Sequence, residues 1–432
     1  MLNQSAHQLP LDDPDRLSLL FAAVADAQHI ALAVSGGVDS LSLLHLASKW
    51  QGQTTNPPAI TVLTVDHGLR AEAQEETAFV AQTAETLGLD VEILRGEVID
   101  PESGLQAKAR ELRYSLMGEA MHELGIHTLL TGHHLDDQAE TILMRLARGS
   151  GITGLGGMAP FTVRGDIALV RPLLNVTRQE LEGYVGRLDL DPVRDPSNHN
   201  LNFERVRWRK LMPQLQELGM SSEKMGNAAM RLRRADQALI ELTEQLYADL
   251  FLIDPFGCVH FQTEMLVKQP AELGVRLLFR AIDDAGGEHD VPSLSQVEKL
   301  YDHISANIIG LSSLTVGGCG IKFKDGMGQI FRELGRMPDE KICVRPGGTY
   351  LWDKRFRVLV AEDHADDIVI APAADFSRKK LDNLLPDLPF VPIQAVRSSP
   401  LVMCGDDILA LGEHVMTSQV DVFCTFGPNA LM

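Results

Sequence analysis

The first 257 residues of this chain contain no cysteine. The five that follow, Cys258, Cys319, Cys343, Cys404 and Cys424, are scattered, and none forms a Cys-x-x-Cys pair. An odd, unpatterned set argues against a disulfide scaffold or a cysteine-based zinc site and fits buried thiols in a reducing cytoplasm. Long apolar runs are also missing. Nowhere are there about 18 successive apolar residues, so no membrane span is expected. The N-terminus has no basic flank leading into an apolar stretch, so no signal peptide is expected either. Positive charge is scarce, with 39 Lys and Arg against 59 Asp and Glu, a net charge of −20. An acidic body repels phosphate, so any nucleic-acid contact has to be local. What remains is a globular composition, 45% hydrophobic and 23% charged over 432 residues, enough for two or three domains.

The most telling segment present is Ser35-Gly36-Gly37-Val38-Asp39-Ser40, which directly follows the apolar run Ile30–Val34. Strand, glycine turn and helix start in that order make a phosphate cradle. Glycines admit backbone N–H groups to an anion, and the helix N-terminus adds unsatisfied donors. A Gly-Lys-Ser/Thr ending is absent, so the loop is not of the Walker type. Asp39 beside a polyphosphate repels it unless a cation intervenes, which makes Asp39 a candidate Mg²⁺ ligand. Ser35 and Ser40 add hydroxyl donors. Strand-like runs at 30–34, 60–65, 91–94 and 128–130 alternate with helical patterns, which predicts a doubly wound parallel sheet. Ligands of such sheets lie at the strands' carboxyl ends. Asp66-His67 and Thr131-Gly132-His133-His134 follow strands in the same way as Ser35.

Two helical faces add to this. Arg110, Arg113 and Tyr114 share a face at i, i+3 and i+4 spacing, where guanidinium forks could steady a leaving phosphate. His133, Asp137 and Glu140 are expected on one helical face, an imidazole with two carboxylates. Between Gly149 and Gly157 a glycine-rich stretch is expected to form a loop over a ligand. From Arg205 to Arg234 there are eight basic residues against two acidic ones, a local reversal of the net charge. Arg205, Arg207, Arg209, Arg231, Arg233 and Arg234 are its arginines, expected to meet RNA phosphates.

On Ser35–Ser40, Asp66–Arg70, Ala109–Tyr114, Gly132–Thr141, Arg148–Met158, Arg171–Leu174 and Asp195–Asn198 the chain resembles the tRNA(Ile)-lysidine synthase family of PP-loop ATP-pyrophosphatases. The resemblance is strong over 28–215 and weaker at 397–412. Where that family usually carries Asn after the first arginine of the basic stripe, this chain has Val206. The resemblance implies a cytoplasmic ligase, monomer or homodimer, that uses ATP, Mg²⁺ and L-lysine to convert the wobble cytidine of CAU-anticodon tRNA(Ile) to lysidine. It implies ATP on Ser35–Ser40, Asp66 and His67, and catalysis by Asp39, Arg113, His133 and Asp137. Lysine falls to Asp137 and Glu140, with Asp137 the leading candidate for the amine. Rival readings are a PP-loop tRNA thiolase, weakened by the missing cysteine before 258, and a non-catalytic RNA-binding relative. Three domains are expected: catalytic at 1–215, helical and tRNA-contacting at 216–310, and a small mixed α/β domain at 311–432.

Overall fold

The computed structural model describes residues 9–66, 73–96, 105–188, 190–193, 200, 202–287, 291–306, 313–337, 341–362, 368–386, 388, 391–417 and 420–424. The chain divides into two compact units, residues 1–236 and 237–432.

In the first unit the elements are α1 (Pro14–Leu20), β1 (His29–Ala33), α2 (Val38–Gln53), β2 (Ala59–Asp66), α3 (Ala73–Thr86), β3 (Asp90–Arg95), α4 (Leu105–Glu123) and β4 (Thr128–Thr131). They continue with α5 (Leu135–Ala147), α6 (Ile152–Leu155), β5 (Phe161–Arg164), β6 (Ile167–Val170), α7 (Arg178–Val185), α8 (Glu204–Glu217) and α9 (Ser222–Leu250). The sheet order is β3-β2-β1-β4-β6-β5, parallel except for the β5–β6 hairpin. Alternation along β1 explains its central place. Ile30 and Leu32 point into one buried cluster with Leu41 and Leu44 of α2, while Ala31 joins Leu63, Met117 and Leu129 on the other face. Both faces are therefore covered, as a parallel sheet requires. Chain order reverses between β1 and β4, so the crevice at their carboxyl ends is the topological switch point.

The second unit begins within α9 and is mainly antiparallel. Strands β7 (Phe251–Ile253) and β8 (Val259–Gln262) precede helices α10 (Thr263–Val267), α11 (Ala271–Gly286) and α12 (Leu294–Ala306). They pair in one sheet with β9 (Leu314–Val316), β10 (Cys319–Lys324) and β11 (Met327–Arg332), in the order β7-β8-β11-β10-β9. The expected division at 310/311 thus falls inside a sheet, because β8 is registered on β11 from Met327↔Gln262 to Ile330↔Val259. The first compact unit runs past the expected limit at 215 to residue 236. Ser222 Oγ donates to Asp136 Oδ1 at 2.8 Å, and Thr153 Oγ1 donates to Asp236 Oδ1 at 2.8 Å, tying the start of α9 to the first unit. Beyond 340 lie a five-stranded and a three-stranded sheet built from residues 342–424.

Cys258 and Cys319 are buried as expected, but Cys343 is exposed and Cys404 half-buried, and these four are free thiols. Asp254, Cys258 and His260 place ligand-type atoms within 4.8 Å of one another. Asp254 there accepts the N–H groups of Phe256 and Cys258 and pairs with His260 Nε2 at 2.7 Å, which makes the cluster a brace for the β7–β8 turn. Among the described residues no helix is long and apolar enough to cross a membrane.

Candidate functional site

The glycine loop after β1 is held by its own residues. Gly36 has φ +80°, and a Cβ there would lie 2.7 Å from Val193 Cγ2, so both backbone and space demand glycine. Its carbonyl accepts the Val193 N–H at 2.9 Å. Gly37 is the N-cap of α2, whose first-turn N–H groups have no intrahelical acceptor. Ser40 Oγ donates to the Gly37 carbonyl at 3.0 Å and accepts the Ser35 N–H at 3.2 Å. Ser40 thus clamps the loop, and Ser35 is exposed at its mouth. Val38 is half-buried at the start of α2, and Asp66 is buried at the end of β2. His67, Gly68–Arg70 and Asp195–Asn198 lie outside the described residues.

Gly132 brings the second strand end onto this loop. A Cβ on it would sit 2.9 Å from the Asp39 carbonyl oxygen, so only glycine permits the approach. The chain then enters α5 at Leu135, later than the spacing argument requires. This corrects the shared helical face: His133 precedes the helix, and its Nδ1 lies 2.8 Å from Thr131 Oγ1. His134 is the N-cap, with Nδ1 accepting the N–H groups of Asp136 at 3.2 Å and Asp137 at 3.4 Å. Asp137 Oδ2 returns the bond to the His134 N–H at 3.2 Å, completing a capping box. His134 is thus a site residue that the sequence reading passed over. The reciprocal i, i+3 pattern of His134 and Asp137 ahead of an apolar helix was the available signal.

The imidazole of His134 is 1% exposed, and its Nε2 stands 3.5 Å from Asp39 Oδ1 and 3.5 Å from Asp137 Oδ2. Both Nε2 and Asp39 Oδ1 are buried and have no hydrogen-bond partner among the described residues. Burial opposes charge on His134, but Asp39, Asp137 and Asp136 outweigh it and raise its pKa above the ordinary range. While the ring is neutral, its Nδ1 lone pair serves the cap and its proton sits on Nε2. Burial pushes the Asp137 carboxyl up, yet His134, Arg205, His133 and the His134 N–H together hold it below the usual range. Asp137 is therefore ionised.

His133 behaves in the opposite way. Burial pushes its pKa down to about 4, and Arg171, Arg110 and Arg205 add to this against the pull of Asp137. Above pH 6.5 the ring is neutral whether folded or unfolded. Below it the unfolded chain takes a proton that the folded ring refuses, so stability falls until the pH reaches about 4. The loss amounts to about 3 kcal/mol over that window. His133→Gln is expected to remove that acid-side loss, read as urea midpoints from pH 7.5 to 4.5. Parallel pH curves for the two proteins would contradict it.

Glu140 stands in different surroundings from Asp137. It is 1% exposed and enclosed by α8: Arg209 donates from Nε at 2.7 Å, and Arg205 Nε lies 3.0 Å away. Its carboxylate is thus paired with two arginines of α8. The basic stripe divides in consequence. Arg205 and Arg209 face Glu140, with Arg205 Nη2 also 3.2 Å from Thr141 Oγ1, and Arg233 donates to the Gly156 carbonyl at 2.8 Å. Arg207, Lys210, Arg231 and Arg234 are exposed. Val206 is buried, which suits its apolar side chain.

The glycine-rich stretch is pinned to α5. The Gln138 amide pairs with both backbone groups of Met158 at 2.8 and 2.6 Å, and Arg145 Nη1 donates to the Gly154 and Gly157 carbonyls. Asp136 is structural, accepting the Arg178 N–H at 2.8 Å as well as Ser222 Oγ. On α4, Arg113 is half-buried, and Arg110 lies over the Tyr114 ring at 5.2 Å with Arg164 at 4.9 Å.

The PP-loop domain family matches residues 12–215 of this chain. Over 288 residues the chain is 42% identical to the tRNA(Ile)-lysidine synthase of Bradyrhizobium diazoefficiens, spanning 65% of this chain and 79% of that protein. The enzyme of the same name from Anaplasma marginale is 36% identical over 398 residues, spanning 91% of this chain and 82% of that protein. That of Rhodopseudomonas palustris is 41% identical over 289 residues, spanning 66% of this chain and 83% of that protein.

Proposed function

The chain belongs to the tRNA(Ile)-lysidine synthase family, and from that premise we propose how its own residues divide the work. It is an ATP-using ligase of the PP-loop class that forms a carbon–nitrogen bond on tRNA(Ile). The proposed substrates are ATP, L-lysine and the wobble cytidine of the CAU anticodon, met in the cytoplasm. In the first step the cytosine C2 oxygen attacks the α-phosphorus, and the bond to the bridging oxygen breaks to release pyrophosphate. In the second, the lysine ε-amine adds to C2, loses a proton, and AMP departs with the former C2 oxygen.

The observation that carries this division is the meeting of Asp39 and Asp137 on either side of His134, where β1 and β4 end. The loop from Ser35 to Ser40 and the start of α2 would receive the phosphates. Asp39 suits Mg²⁺, since its buried Oδ1 has no hydrogen-bond partner among the described residues and the ion commonly takes one or two carboxylates plus substrate phosphates. Bound there, Mg²⁺ would neutralise phosphate charge. Arg113 would steady the departing pyrophosphate. The ionised Asp137 would hold the lysine ammonium and accept a proton once nitrogen has added to C2, when that proton is acidic. His133, neutral and a weak base, would serve as a hydrogen-bonding partner and not as the proton acceptor.

Incubation with ATP, labelled lysine and a CAU-anticodon transcript tests the reading. Label is expected in RNA only with ATP present, and pyrophosphate release is expected without lysine. Unlabelled RNA would overturn it, and RNA modified only when a sulfur donor is supplied would favour the thiolase class.

For tRNA contact we place weight on the exposed part of the stripe. Replacing Arg207, Arg231 and Arg234 together by Ala is expected to weaken tRNA binding and to flatten its log–log salt dependence by about three units of slope, about one per phosphate contact. ATP affinity should not change. An unaltered slope would remove these residues from the interface.

A further inference from the structure

We propose that His134 is a positioning residue for adenylation, whose Nε2–H holds the Asp39 carboxylate in register with Asp137 while its Nδ1 caps α5. The inference rests on the reading of Asp39 and Asp137 given above and adds a residue to it. Its basis is a geometric mismatch. His134 is 1% exposed, so neither ring nitrogen has bulk water as an alternative partner. Nδ1 is occupied by the N–H groups of Asp136 and Asp137, which fixes the proton of the neutral ring on Nε2. That proton faces Asp39 Oδ1 and Asp137 Oδ2, each 3.5 Å away and longer than a well-formed hydrogen bond, and among the described residues neither Nε2 nor Asp39 Oδ1 has a closer hydrogen-bond partner.

A buried donor and a buried acceptor left unsatisfied beside each other are costly, and a shift of about 0.5 Å would join them. Catalytic contacts of this kind are commonly long before substrate arrives and tighten in the complex. Asp39 is free to make the shift, with its side chain 35% exposed, whereas the ring is fixed by the cap. The imidazole is therefore the fixed point, and the carboxylate is what it orients. A cap alone does not explain why an imidazole stands here. Asn or Ser would cap α5 as well and would fill less space.

The two ring nitrogens can be tested separately, because Asn places a polar atom near the position of Nδ1 and Gln places one near Nε2. His134→Asn is expected to keep the cap and the thermal midpoint of the wild type. It should lower pyrophosphate release by about 30-fold and raise the Mg²⁺ concentration that half-saturates ATP binding by about tenfold, the range seen when an outer partner of a metal ligand is lost. His134→Gln is expected to lose the cap and several degrees of thermal midpoint, while its Mg²⁺ dependence stays within about threefold of the wild type. The opposite pattern, with His134→Asn wild-type in Mg²⁺ dependence and His134→Gln impaired, would make His134 a helix cap only. Equal impairment of ATP binding in both variants would also overturn the division of roles. Should the wild-type protein bind ATP and Mg²⁺ yet leave the CAU transcript unlabelled, the functional reading falls. The Mg²⁺ dependence of ATP binding in the two variants would still decide the role of His134.

Discussion

Asp39→Asn is expected to lower ATP-dependent pyrophosphate release by about 10³-fold while leaving the thermal midpoint within a degree or two of the wild type. The amide is isosteric with the carboxylate, so α2 and the glycine loop should keep their shape. What changes is charge. Asp39 sits in the first turn of α2 with one buried oxygen that has no hydrogen-bond partner among the described residues, at the mouth of a loop built for phosphate. Replacing one carboxylate oxygen by an amide nitrogen removes the negative charge and puts N–H donors, which cannot ligate a cation, where lone pairs stood. Pyrophosphate release measured over a Mg²⁺ series separates the possibilities. Wild-type turnover throughout the series, low Mg²⁺ included, would reduce Asp39 to a residue favoured by the helix dipole.

Glu140→Gln is expected to destabilise the first unit by about 3 kcal/mol, because the partner of two partly buried guanidiniums is lost. For a unit of this size that corresponds to a fall in thermal midpoint of roughly 6–12 °C. Arg205 and Arg209 are 37% and 32% exposed, so solvent relieves part of the cost, which places the expectation at the low end for a broken buried pair. Activity should fall with it, since Arg205 also bears on Asp137 and both arginines come from α8, which packs on α5. An unchanged midpoint would mean that the two arginines find other acceptors and that Glu140 does not anchor α8.

The comparison of Glu140 with Asp137 shows where reading the sequence stops. Both were visible as carboxylates on one helix, and i, i+3 spacing puts them on neighbouring positions of the same side. Their difference lies in what approaches from elsewhere. Sequence gives no sign that α8, more than sixty residues on, pairs two arginines with Glu140 while Asp137 caps against His134. The basic stripe divides for the same reason. Three of its arginines are turned inward to Glu140 or a loop carbonyl, while composition counts all eight basic residues alike. His133 and His134 differ by a single position, and the helix start at Leu135 decides which one caps it and faces the carboxylates. Helix limits are the least certain part of a periodicity argument, and here one residue separates the roles.

By itself the sequence determined the doubly wound sheet, the glycine loop at its switch point and the class of chemistry. Each of these follows from local rules: alternating periods, a strand–glycine–helix turn, and charged residues placed just after strands. It also carried the family, through motifs that cluster at strand ends. Only the tertiary structure decided which side chains meet. It showed that β8 and β11 share a sheet across the expected 310/311 boundary, that α8 closes over Glu140, and that Gly132 lets β4 bring His134 onto Asp39. These are contacts between residues far apart in the chain. They depend on how far one backbone can approach another and on which buried charge has already been paired, and neither quantity is written in local sequence.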